Sequence, residues 1–442
     1  MPFSTNLPYA ARASTDLADY DAVDEDRIYA KVTRRIVGLL FVCYVFAFLD
    51  RVNVSFAKSA MLADLGFSEA VFGLGAGIFF VSYFLLEVPS NLLLARFGAR
   101  RWIARIMVSW GLLSVMTLFV QTPMQFYVLR VLLGAAEAGF FPGVMLYLTQ
   151  WYPAQRRSRV ITLFMAAIPM SSIVGGPLSG WILKSFSGAY GLAGWQWLFL
   201  IEGIPAVLLG IVTLRFLDDS ISKSRWLTEG EKQFLQQRTQ GDQSHAVVHK
   251  MSKALSSPTV WLLAVVNFSI LGNVTLHFWM PSMLRSAGLM DPVKLGWMVS
   301  AIYVVALVAM LILGRTSDLM LERRWHVVIP GLVCAVGTAS MPIVLHDPQL
   351  LWLACLAAIC GNIIGNALYW NLPTAILSGG AATVGIAFIN AFGQIAGFSS
   401  PTMFGWLFSA TGSPTWGLTI LATCTALGSL AALLIPSQLV NR

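Results

Sequence analysis

NLLLARFGARR at residues 91–101 and GRTSDLMLERR at residues 314–324 stand 223 positions apart, and each closes an apolar run on a pair of arginines. Both follow the second of a set of apolar runs, so they mark one place in two halves of a duplicated chain. GVMLYLTQWYP from Gly143 aligns with GNALYWNLPTA from Gly365 at nearly the same offset, and GGPLSGW from Gly175 with SSPTMFGW from Ser399. Two bundles related by an axis along the membrane normal would leave this kind of parallel repeat.

Composition says what the repeat is made of. The chain has 442 residues, 57% of them hydrophobic, with 29 basic and 21 acidic side chains and a mean hydropathy of +0.71. A soluble fold would carry charge on about a quarter of its residues. Twelve spanning helices of roughly 20 residues need about 240 apolar-rich positions. Apolar runs fall at 36–56, 71–95, 102–120, 124–147, 159–183 and 196–216, then at 259–283, 295–314, 326–345, 350–377, 383–409 and 415–435. Their length excludes a membrane β-barrel, whose strands alternate in short segments. The polar stretch between the sets holds Lys223, Arg225, Lys232, Arg238, Lys250 and Lys253. The predicted fold is an all-α membrane protein of twelve transmembrane helices in two pseudo-symmetric six-helix bundles. Its predicted parts are a tail (1–35), a bundle (36–217), a linker (218–257), a second bundle (258–436) and a short C-terminus (437–442).

The net charge of +8 lies between apolar runs instead of in one stripe, so it reads as a topology signal and predicts no nucleic-acid partner. Placing both termini in the cytoplasm puts most basic residues inside, including Arg96, Arg100, Arg101, Arg156, Arg157, Arg159, Arg315, Arg323 and Arg324. Only Lys58, Lys184, Arg285 and Lys294 are left to outer loops. The five cysteines are odd in number, lie in apolar runs and form no CxxC pair, which predicts neither a disulfide framework nor a metal site. The first 26 residues lack the layout of a secretory signal and carry Asp16, Asp19, Asp21, Asp24, Glu25 and Asp26. They read as a disordered cytoplasmic tail.

An ionisable side chain at mid-bilayer costs about 3 kcal/mol or more, so each one inside a span is a functional candidate. Span 1 has Asp50 and Arg51, span 2 Glu87, span 4 Arg130 and Glu137, span 6 Glu202; the second half has only His277. Seven residues separate Arg130 from Glu137, which puts both on one helix face about 10 Å apart. Around them Gly134, Ala135, Ala136, Ala138 and Gly139 let a neighbour approach. Tyr44, Phe48 and Arg51 recur at i, i+4 and i+7, an aromatic wall beside a guanidinium. Burial favours a neutral carboxyl and a nearby arginine the carboxylate, so Asp50 and Glu137 can change protonation as an anion arrives or leaves. The alternative is that the acids and arginines are permanent structural pairs.

The loop pattern of Gly314, Asp318 and Arg323-Arg324 resembles the major facilitator superfamily, and the resemblance covers the whole membrane part. In the first half Asn91 and Ala95 replace the glycine and the acid, which removes a carboxylate from that loop. LDRVNVSFA in span 1, YFLLEVPSN in span 2 and LRVLLGAAEAGFFPG in span 4 are similar to the anion:cation symporter family within it, whose members take up organic acids with protons. That resemblance implies that Asp50 and Glu137 are proton-coupling acids, that Arg51 holds the substrate carboxylate through two hydrogen bonds, and that Tyr83, Trp370 and Asn390 face the substrate. It places Arg130 beside the coupling glutamate. Phe48 stands where sugar-acid members can carry a tyrosine, and Ile168 and Pro169 where they present an amide-bearing patch, which suits a less hydroxylated or aromatic acid.

Other candidates have simpler readings. Glu87 precedes Pro89 near a helix end and Glu202 precedes GIPA, so both read as hydrogen-bonding or pairing acids. His277 follows Asn273, and Gln394 follows Asn390, by one turn, so each pair can line a cavity. Gly176, Pro177 and Gly180 resemble part of the span 5 motif of drug:proton antiporters, with Ser172 and Trp181 departing from it; tight helix packing accounts for them equally, as it does for Gly73-x3-Gly77 and Gly139-x3-Gly143. No P-loop, HExxH or GxSxG occurs, so neither ATP-driven transport nor a membrane enzyme is expected, and no cofactor. The expected function is import of a small organic acid with protons by a monomeric, multi-pass inner-membrane protein in the lipid bilayer. The competing expectations are a proton-coupled exporter of drugs or metabolites and a transporter-like solute receptor.

Overall fold

The structure is a computed structural model that describes residues 22–240, 257–377 and 379–441. Asp16, Asp19, Asp21, Lys250 and Lys253 lie outside the described residues, as does the side chain of Arg159. The described residues form helices and turns with no strand. Spans 1 to 6 are Gly38–Leu65, Glu69–Phe97, Ala99–Phe119, Pro123–Thr149, Val160–Ser185 and Gly194–Phe216. Spans 7 to 12 are Pro258–Ser286, Pro292–Met320, Arg324–Ile343, Pro348–Ile376, Gly379–Thr411 and Thr415–Leu434. The chain is thus a twelve-helix membrane protein built as six plus six.

Several spans are broken, and the cause is local. Pro142, Pro169 and Pro373 have no N–H to give the carbonyl four residues back. Their helices break at Ala138–Gly139, Ala166 and Trp370. Span 7 breaks at Asn273 without a proline; here the Asn273 amide itself donates to the Ser269 carbonyl at 2.9 Å, replacing a backbone bond. Gly139 takes φ 85, in the left-handed region that favours glycine.

Two expectations are corrected. Lys58 is not in an outer loop: span 1 runs on to Leu65 because Phe56, Ala57 and Met61 keep burying one face, and it stops only at Gly66, φ 66. Lys58 is 1% exposed. Nor is all of the tail disordered. Ala22–Val32 is a helix that docks on the helix Glu229–Gln240, with Lys31 on Glu231 at 2.9 Å, and on the connection between spans 4 and 5, with Arg156 on Asp26 at 2.7 Å and Tyr29 stacked on Tyr152. Despite the partial burial of Glu231, Lys31 and Thr228 hold its carboxyl below the usual carboxylate range.

The halves meet at the end of the molecule opposite the termini. A methyl on Gly73 of span 2 would come 2.5 Å from the Pro401 carbonyl oxygen of span 11, and one on Gly176 of span 5 equally close to that of Gly296 in span 8. Glycine is what allows these backbones to touch. At the same end buried Lys58 pairs with Glu69 at 2.8 Å and donates to Ser282 of span 7, while Trp279 donates to Glu69 at 2.7 Å.

Each six-helix half is closed at the terminal end by a residue that follows its last span. In the first half Asp219 accepts from the Arg100 backbone N–H at 3.0 Å. In the second, Asn441 accepts from the Arg323 N–H at 2.9 Å. The carboxylate missing at Ala95 is therefore not replaced in place; the loop takes an acid from the linker instead.

Candidate substrate and proton site

Span 4 ends its first helical segment at Glu137, with the break falling at Ala138–Gly139 just after it. Glu137 meets Arg51 of span 1, with Nη2 to Oε1 at 2.6 Å. A quarter of the Arg51 side chain stays exposed, whereas Glu137 is almost fully covered. The guanidinium carbon lies 4.8 Å from the Phe48 ring, 5.3 Å from Tyr83 and 5.4 Å from Phe79. Aromatic faces hold a cation without neutralising it, so Arg51 keeps its charge.

Asp50, the neighbour of Arg51, faces the other way. It is buried and accepts from Trp110 Nε1 at 2.6 Å, from the Ser114 hydroxyl and from Asn53 Nδ2 at 3.1 Å. Arg130 makes no ion pair among the described residues. Its Nε donates to the Gly75 carbonyl at 3.0 Å, and its guanidinium sits 5.0 Å from the same Phe79 ring that flanks Arg51. The pairing of acids and arginines is thus across spans 1 and 4 for Arg51 and Glu137 alone. Arg130 and Glu137 share a helix but do not touch.

Tyr44 meets Phe48 edge-on at 5.0 Å and stacks on Phe164 at 4.4 Å, one ring removed from Arg51. Trp370 is half-buried at the break of span 10, edge-on to Tyr369, and Asn390 is half-buried on span 11. No described contact joins either to Arg51, Asp50, Glu137 or Arg130. Phe79, Trp110 and Ser114 join the site without having stood out as candidates in the sequence; the Phe79-x3-Tyr83 and Trp110-x3-Ser114 spacings are the signal that points to them.

The second half presents a neutral cluster. His277 Nδ1 lies 2.6 Å from the Tyr303 hydroxyl and Nε2 lies 3.2 Å from Asn362 Oδ1, whose Nδ2 donates to the Ile270 carbonyl. This pattern fits a neutral imidazole with its proton on Nε2. Asn273 does not line a cavity with it, being turned to Ser269 and Thr425.

Two six-helix halves with a cation–carboxylate pair inside the membrane region define a polytopic solute transporter. The chain belongs to the Major Facilitator Superfamily, whose sequence profile residues 40–401 match. It is 44% identical to a Pseudomonas putida protein named as the metabolite transport protein NicT, over 98% of this chain and 99% of that one. It is 44% identical to an Agrobacterium vitis protein named as a tartrate transporter, over 93% and 92%. A quinolone resistance transporter of Acinetobacter baumannii is 37% identical over 94% and 96%. Among solved structures, the xylose transporter XylE of E. coli superposes with a TM-score of 0.73 at 16% identity, over 92% of this chain and 96% of that one, which shows the shared fold. The protein is a transporter and not an enzyme.

Proposed function

We propose that the protein imports an organic carboxylate by proton symport, with the anion on Arg51 and the coupled proton on Glu137, while Asp50 is a second coupling acid. The observation that carries this reading is the asymmetry of the Arg51–Glu137 pair: the cation is reachable and the acid is not. A substrate carboxylate that takes over the guanidinium strips Glu137 of its partner. A bare carboxylate left buried costs about 3–5 kcal/mol, so Glu137 binds a proton as the anion binds. When the anion leaves, the pair re-forms and the proton goes. Anion and proton thus travel together through one guanidinium.

Phe48, Phe79 and Tyr83 shape the space beside Arg51, Tyr44 backs Phe48, and Trp370 and Asn390 belong to the substrate side of the second half. Arg130 steadies the field around both acids. The charge bias supports termini in the cytoplasm of a bacterial inner membrane; with that orientation the glycine contacts between the halves lie at the outer face. The relatives named for tartrate and metabolite transport support a small organic acid.

A second reading, proton-coupled drug export, rests on the quinolone resistance relative. Uptake by purified protein in liposomes under an imposed inward proton gradient separates the two. Symport predicts accumulation of one acid from a panel of sugar acids, tartrate and small aromatic carboxylates, abolished by Arg51→Lys and reduced to exchange by Glu137→Gln. Failure to accumulate any acid, with gradient-driven movement of a quinolone, would establish export.

A further inference from the structure

Glu202 of span 6 takes no part in the site above, yet it is only 2% exposed and no described basic side chain reaches it. Oε1 accepts from the Ser179 hydroxyl at 2.9 Å, while Oε2 has no partner among the described residues. Asn53, fully buried, faces it from span 1. The amide of Asn53 gives Nδ2 to Asp50, and its Oδ1 is also without a partner.

One amide therefore stands between two carboxyl groups. If both were ionised, two buried carboxylates would share the two N–H donors of one amide, and Glu202 would have only the Ser179 hydroxyl besides, with no described cation to balance its charge. A proton on Glu202 Oε2 removes the unbalanced charge and gives the group a donor, for which the unpartnered Asn53 Oδ1 is an acceptor. Asp50 is the better place for the negative charge, since it accepts from three donors and Glu202 from one. A hard cation in place of the proton would need about six oxygens, and only two here lack a partner.

The repeat supplies a second, independent observation. Displaced by 223 positions, Asp50 corresponds to Asn273 and Glu202 to Thr425. In the second half these two bond directly, Asn273 Nδ2 to Thr425 Oγ1 at 2.9 Å. The neutral half joins its spans with a donor and an acceptor; the acidic half can do so only by holding a proton.

We propose that Glu202 is a proton-holding positioning residue, protonated at neutral pH, whose hydroxyl fixes the Asn53 amide that donates to Asp50. Its consequence for transport rests on Asp50 as a coupling acid; its protonation does not. The only other titratable group described as facing Glu202 is Asp50, which Arg130 faces in turn from span 4; the side chains from spans 3 and 5 are Trp110, Ser114 and Ser179.

The test uses the full-length protein in liposomes. Infrared spectra of wild type, Asp50→Asn and Glu202→Gln should show a protonated-carboxyl stretch that persists from about pH 5 to pH 8, survives Asp50→Asn and is lost in Glu202→Gln. A wild type without that band, or a band unchanged in Glu202→Gln, overturns the proposal. In uptake, Glu202→Ala should fall about tenfold with a displaced pH profile, and Glu202→Gln, whose amide supplies the same donor, should restore both. If the two variants displace the profile alike, Glu202 titrates during the cycle and the fixed proton is refuted. Stimulation by sodium that depends on Glu202 would replace the proton by a cation. If wild type takes up no acid at all, the transport reading fails while the infrared result still judges Glu202.

Discussion

The two halves solve the same packing problem with different chemistry. Both close their terminal ends alike, Asp219 on Arg100 and Asn441 on Arg323, at positions related by the repeat. Inside the membrane they diverge. The first half holds Asp50, Arg51, Arg130, Glu137 and Glu202, whereas the corresponding positions of the second are Asn273, Val274, Leu353, Cys360 and Thr425. A neutral amide–hydroxyl pair is indifferent to protons and to anions. Acids and arginines on the same scaffold make the packing depend on both. Under the proposed symport, the difference assigns coupling to the first half, while the other supplies neutral hydrogen-bonding groups such as His277, Tyr303 and Asn362.

The largest expected effect tests that division. Arg51→Ala should lower uptake by about a hundredfold or more, the cost of a lost charge-assisted pair. Asn362→Ala in the second half should lower it by about tenfold while changing which acid is preferred. Competition uptake in liposomes reads both, and an equal, unselective loss from Asn362→Ala would break the comparison.

Next comes an exchange of chemistries. Asp50→Asn combined with Glu202→Thr gives the first half the neutral pair of the second. The double variant should fold, with its melting temperature close to wild type, and should lose proton-driven accumulation. Accumulation that survives would move coupling away from this pair of positions.

Smaller effects are expected at the shared closures. Asp219→Ala and Asn441→Ala should each cost about 1 kcal/mol, a fall of about 2–4 °C in thermal melting. A much larger loss on one side only would show that the two closures are not equivalent.

The smallest concerns the N-terminal helix. Glu231 has its carboxyl held low in the folded protein, so the contribution of its pair with Lys31 is full above the ordinary glutamate range. That contribution is lost as pH falls through the lowered value. Hydrogen exchange in residues 22–32 should therefore quicken at acid pH, and Glu231→Gln should make it fast at neutral pH as well.

Much of this fold is legible in the amino-acid sequence, because length, apolar runs and the 223-residue repeat are properties of the chain itself. Boundaries are less so. Span 1 continues beyond its apolar window with only one face buried, which is why Lys58 reads as a loop residue. The site is legible in its residue types and not in its partners. Arg130 and Glu137 share a face of the unbroken segment Pro123–Glu137, but about 10 Å of rise separates them, and Glu137 pairs with Arg51 of span 1, which spacing within span 4 does not reveal. Phe79, Trp110 and Ser114 are marked in the sequence only by their one-turn spacing, Phe79 to Tyr83 and Trp110 to Ser114, which gives a shared face but not the span that the face meets.

The central claim is that one guanidinium exchanges Glu137 for the substrate carboxylate. It is tested most directly by following pH in a weakly buffered solution of the purified protein as the acid binds. Binding should take up about one proton per anion in wild type, and Glu137→Gln should bind the acid without that uptake. Binding with no proton uptake in wild type, or an uptake unchanged in Glu137→Gln, would contradict the account.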